Sequence, residues 1–87
     1  MPLNSARFEL TQVRADVLSL LGEHIPVEEG FPDDEDLSAH GLTSMSIVAL
    51  IYSIEDHFEI EISESQMQLR NFLTVKGIMQ IVLANQR

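Results

Sequence analysis

Thr43 and Ser44 form a hydroxyl pair between a turn signal at Gly41 and the most apolar segment of the chain, which opens at Ser44. A serine in that setting has three chemical uses. It can cap the helix that follows, because serine and threonine oxygens accept the unpaired N–H groups of a first turn. With a positioned base and oxyanion donors it can act as a nucleophile. It can also carry a covalently attached group. His40 is close in sequence, but no strand–turn–helix pattern surrounds Ser44, so a nucleophile elbow is not indicated.

Other side chains with chemical potential lead elsewhere. The acidic run Asp33-Asp34-Glu35-Asp36 offers alternate oxygen donors, yet counted as a calcium loop from Asp34 its sixth position is Ala39 and its twelfth Met45. Such a loop needs glycine and glutamate there, so the run reads as a solvated acidic loop. His24, His40 and His57 lack the paired spacing of a metal site and are assigned surface or capping roles. With no cysteine in the chain, thiolate nucleophiles, thiolate metal sites and disulfides are all excluded.

The elements that must position Ser44 follow from apolar spacing. Leu10, Val13, Val17, Leu20 and Leu21 mark one face of an amphipathic helix over about residues 5–22, widened by Phe8 and Leu18. Gly22 and Pro26 end it. Residues 23–43 then form a long loop, anchored by Leu37 and Leu42 with help from Ile25, Val27 and Phe31.

A second helix is expected over 44–58 with Thr43 as its cap. Ile47, Leu50, Ile51, Ile54 and Phe58 face the core, while Met45, Val48 and Tyr52 leave apolar surface on another side. In so small a domain that surplus favours a partner surface over burial. Glu59-Ile60-Glu61-Ile62 alternates but is too short and solitary for a sheet, and its isoleucines pin a loop. Ser63 and Gln66 suggest a capping box and a short helix over 63–69. Thr74 caps a last helix to about 85, with Val75, Ile78, Met79 and Val82 inward, entry guided by Phe72 or Leu73, and Gly77 available for close packing. The fold expected is all-α: three main helices and a short one, in one domain over 1–87.

The balance of 5 Lys and Arg against 14 Asp and Glu gives a net charge of -9, which disfavours nucleic acid and anionic membranes and favours basic partner surfaces. Neither a signal-like apolar stretch in residues 1–10 nor a membrane span is visible, so a soluble cytoplasmic monomer is expected.

The stretch from Asp36 to Ile62 resembles the central segment of acyl and peptidyl carrier proteins. Gly41, Leu42, Ser44 and Met45 match that family's Gly-[Leu/Met/Val]-Asp-Ser-[Leu/Met] signature. Glu55, Phe58, Ile60 and Ile62 match the Glu-x-x-Phe-x-[Ile/Val]-x-[Ile/Leu/Val] ending, and Phe72-Leu73-Thr74-Val75 resembles the entry to the last helix. The resemblance implies a non-catalytic carrier with 4′-phosphopantetheine on Ser44, installed from coenzyme A by a phosphopantetheinyl transferase. A loading ligase or acyltransferase and downstream synthases or transferases would be its other partners.

The chain departs from the family pattern in two respects. Thr43 stands where most members have aspartate, and Val48 and Ala49 stand where fatty-acid carriers have an acidic patch. Acidity lies instead at Asp33 to Asp36 and at Glu55 and Asp56. The partner surface is accordingly assigned to Met45, Val48, Tyr52, Asp36, Glu55 and Asp56. The resemblance leans toward discrete carriers of specialised pathways, including polyketide, nonribosomal peptide and aminoacyl or glyceryl carriers, with fatty-acid synthesis as the alternative. An unmodified acidic helical interaction module is the rival from another class.

Overall fold

A computed structural model describes residues 9–86 as three α-helices joined by loops and single 3-10 turns, with no strand among the described residues. Helix α1 spans Leu10–Leu21, α2 Ser44–Phe58 and α3 Val75–Ala84. The all-α bundle expected from the sequence is what forms. The sequence-expected first turn of α1, Phe8 and most of the N-terminal segment fall outside the described residues.

Glu9 starts α1 by accepting the Gln12 N–H at 3.1 Å. Val13, Val17, Leu18, Leu20 and Leu21 are buried, but Leu10 is exposed, one turn before the first buried position. The proposed stripe therefore begins at Val13. In α2, Ile47, Leu50, Ile54 and Phe58 are buried and Ile51 is half-buried. Ile81 joins Val75, Ile78 and Val82 in the buried face of α3, while Met79 packs at its edge.

The loop over 23–43 contains a 3-10 turn at Leu37–His40 and is fixed to the bundle at several points. Ile25, Phe31, Leu37 and Leu42 are buried in the common core. The Leu37 N–H donates to the Leu73 carbonyl at 2.8 Å, and the Lys76 N–H to the Asp33 carbonyl at 3.0 Å. Arg14 on α1 completes the attachment: Nε donates to Asp33 Oδ1 at 2.7 Å, Nη1 to Glu29 O at 2.9 Å and Nη2 to Phe31 O at 2.6 Å.

The short helix expected over 63–69 is instead two 3-10 turns, Glu64–Gln66 and Leu69–Phe72. Gln66 does reach back to the Ser63 N–H at 3.1 Å, as a capping box requires. The turn cannot propagate, because side-chain amides take the carbonyls a longer helix would use. Asn71 Nδ2 donates to Gln66 O at 2.9 Å and Gln68 Nε2 to Ser65 O at 3.3 Å, while Met67 leaves helical geometry at ψ 56.

Gly77 serves a different contact from helix packing. A Cβ there would lie 2.7 Å from the carbonyl oxygen of Asn71, so glycine lets α3 start directly against the preceding 3-10 turn. Ile60 and Ile62 are buried and pin the segment after α2, as their alternation suggested.

Candidate functional site

Thr43 ends the long loop in extended backbone, and its Oγ1 accepts the Ser46 N–H at 3.1 Å while donating to Ser46 Oγ at 3.1 Å. The Thr43 carbonyl accepts the Ile47 N–H at 2.9 Å, closing the first turn of α2. Capping is thus done by Thr43, and Ser44 is the first helical residue, exposed, with its hydroxyl unbonded among the described residues. Its neighbours above and below are anchored: Leu42 and Ile47 are both buried. A freely exposed hydroxyl is therefore held on a rigid corner.

Gly41 makes the corner possible. It has φ 104, a left-handed conformation that only glycine adopts readily, and its N–H closes the Leu37–His40 turn onto the Ser38 carbonyl at 3.3 Å. Asp36 opens that turn by accepting the Ser38 N–H at 3.0 Å and Ser38 Oγ at 2.7 Å. The Ser38 hydroxyl and then its N–H hold the Asp36 carboxyl below the usual carboxylate range, with His40 adding a smaller push the same way.

The start of α2 resembles that of α3 in its electrostatics. No acidic residue lies in its first turn, and the cap is a neutral hydroxyl. The N–H groups of Ser44 and Met45 have no acceptor among the described residues, so the Thr43 cap leaves part of the positive end of the helix uncompensated. A negatively charged substituent on Ser44 would meet a favourable field there.

The remaining residues singled out from the sequence divide between surface and structure. Met45, Val48 and Tyr52 are exposed at 84%, 52% and 66%, continuing from Ser44 along one side of α2. Asp56 is exposed further along, but Glu55 is half-buried and structural, its Oε2 accepting the Ile62 N–H at 2.9 Å. Asp36 is engaged in its turn and exposed. His40 pairs with Glu35 at 2.9 Å and stands edge-on to Phe31, and His57 lies 3.3 Å from Asp16 on α1. His24 is half-buried, with Nε2 enclosed and unpartnered among the described residues. No group of three potential metal ligands occurs among the described residues, and none of their helices is long and apolar enough to cross a membrane.

Sequence reasoning missed the groove beside Tyr52. Val48, Ile51, Tyr52 and Met67 line a mainly apolar recess of about 300 Å³ between α2 and the turn after Ser63. Met67 had no helical periodicity to mark it, and only the folded chain brings it to α2.

The family whose model describes a phosphopantetheine attachment site matches residues 11–81. An aminoacyl carrier protein of Agrobacterium fabrum is 30% identical over 63 residues, covering 72% of this chain and 76% of that protein.

Proposed function

The chain belongs to the phosphopantetheine-bearing acyl carrier protein family, and from that premise we propose that Ser44 is the attachment residue and a phosphopantetheinyl transferase its first partner. The family's 4′-phosphopantetheine is covalently bound and supplies a terminal thiol that holds cargo as a thioester; this cysteine-free chain has no sulfhydryl of its own. The observation that carries the assignment is the division of labour between adjacent hydroxyls. Thr43 Oγ1 is committed to the cap, and Ser44 Oγ is exposed and unbonded among the described residues.

The residues present fit a phosphodiester. The uncompensated N–H groups at the start of α2 favour an anion, and no carboxylate in the first turn opposes one. The protein's part is to hold the attachment point rigid and present it to loading and downstream enzymes, where tethering raises the local concentration of the intermediate. Members of this family are generally non-catalytic, and this chain acts as carrier and not as enzyme.

The cargo we assign is an acyl or aminoacyl group of a specialised polyketide, nonribosomal peptide or aminoacyl pathway, carried by a cytoplasmic monomer. Supporting this are the neutral Val48 and Ala49 on α2 and the similarity to an aminoacyl carrier. Incubation with coenzyme A and a promiscuous phosphopantetheinyl transferase, followed by intact-mass measurement, tests the site. The expected result is a gain of one phosphopantetheinyl group that disappears in Ser44→Ala. A gain that persists in that variant, or none where a control carrier is modified, sinks the assignment.

A further inference from the structure

A second recess lies on the loop that leads into the attachment corner. Pro26, Val27, Glu28, Phe31 and His40 line an open hollow of about 370 Å³. Its walls are fixed. The Phe31 N–H donates to the Glu28 carbonyl at 2.9 Å, and Arg14 holds the Glu29 and Phe31 carbonyls from α1. His40 Nε2 lies 2.9 Å from Glu35 Oε2, and its ring stands edge-on to Phe31 at a centroid separation of 5.0 Å. An ionised carboxylate only accepts, so Nε2 carries the proton and the neutral ring keeps Nδ1 as an acceptor.

The recess beside Tyr52 has a different chemistry. Val48, Ile51, Tyr52 and Met67 line it with no charged group among the described residues, and an ammonium placed there would lose water without meeting a partner. The loop hollow instead combines apolar Pro26, Val27 and Phe31 with Glu28 and the His40 ring, and neither Lys nor Arg is among its described lining residues. A small group with an apolar body and a cationic end matches that set. It also lies close to the attachment point. Four residues separate His40 from Ser44, a span of at most about 14 Å. The phosphopantetheine arm places about 14 consecutive bonds between serine oxygen and sulfur, roughly 17 Å when extended with the advance per bond of a peptide chain.

We propose that this hollow seats an aminoacyl cargo, an inference that rests on the Ser44 and carrier reading given above. Glu28 pairs with the α-ammonium group, His40 Nδ1 accepts a second hydrogen bond from it, and Phe31, Pro26 and Val27 cover the cargo's apolar part. The seat then reads charge: an acyl group of similar size without the amine gains nothing from Glu28. Glu28 is a specificity-determining residue with no part in attachment.

The test uses chains loaded at Ser44, by a promiscuous transferase, with aminopantetheine bearing an alanyl or a propionyl group in a non-hydrolysing amide linkage. Amide NMR spectra and nuclear Overhauser contacts report where each group rests. Expected for alanyl are displaced amides at 27–31 and 40–41, with contacts from its methyl group to the Phe31 ring. Replacing alanyl by propionyl, or Glu28 by Gln, lowers the seated-to-free ratio about twofold to fivefold, the range of one exposed ion pair, and Glu28→Lys lowers it further. The Glu28 side chain makes no hydrogen bond or ion pair among the described residues, so both variants keep the fold, which the spectra of the unloaded chains check.

Equal displacement by alanyl and propionyl overturns the proposal, as does unchanged alanyl seating in both Glu28 variants. Displacements at 47–52 in place of 27–31 would give the cargo to the recess on α2, and a spectrum identical to that of the chain with a bare arm would leave it in solvent; either overturns the proposal too. A chain that accepts no arm fails at an earlier step, removing the Ser44 assignment and this inference with it.

Discussion

One hydroxyl at Thr43 accepts from the Ser46 N–H and donates to the Ser46 side chain, so it orders both the backbone and the surface of the first turn of α2. Thr43→Ala removes that cap, at a cost of about 1 kcal/mol. In a domain of this size the expected fall in melting temperature is about 4–8 °C, measured by circular dichroism. Thr43→Ser, which keeps the oxygen, should retain most of the stability. The cap was legible in the sequence because Thr43 directly precedes an uninterrupted apolar run. The fate of Glu55 was not, since the Ile62 N–H it accepts lies beyond the end of the helix.

Among the elements, α2 was readable end to end: the hydroxyl at its start and the 15 residues free of glycine and proline define it. Its stop carries a weaker signal, because the left-handed position after Phe58 is filled by Glu59 at φ 56 and not by glycine. The segment after Ser63 misled for a related reason. A genuine capping box starts a turn there, and amides from Gln68 and Asn71 then occupy the carbonyls that would extend it.

The entry to α3 shows tertiary structure overriding propensity. Alanine at position 77 would ordinarily strengthen the helix by about 1 kcal/mol. Its Cβ, however, would press on the Asn71 backbone carbonyl at 2.7 Å, and overpacking against backbone costs about 1–3 kcal/mol. Gly77→Ala is therefore expected to be net destabilising in chemical denaturation, by up to about 2 kcal/mol. A stabilised variant would show that the turn can move away freely.

Across the whole molecule, the long loop behaves as part of the bundle because Arg14 ties three of its groups to α1. Nothing in the sequence announces this role: two of the three acceptors are backbone carbonyls, and all lie 15 to 19 residues away. Arg14→Met keeps the aliphatic stem and removes the donors. The side chain is partly exposed, so the net loss expected is about 1–2 kcal/mol, below the sum for three charge-assisted bonds in a dry site. Amide exchange between positions 28 and 37 should accelerate about tenfold, with smaller changes in the middle of α2.

The buried residues of the described structure are all apolar, with no polar or charged side chain among them. Such an interior has no hydrogen-bond register of its own to protect, so volume-conserving exchanges among its Leu, Ile and Val side chains meet little resistance. The specification of this protein therefore resides at its edges, in the caps, the Gly41 corner and the Arg14 tether. An engineer, or a drifting lineage, could rewrite much of the core while leaving the geometry around Ser44 untouched.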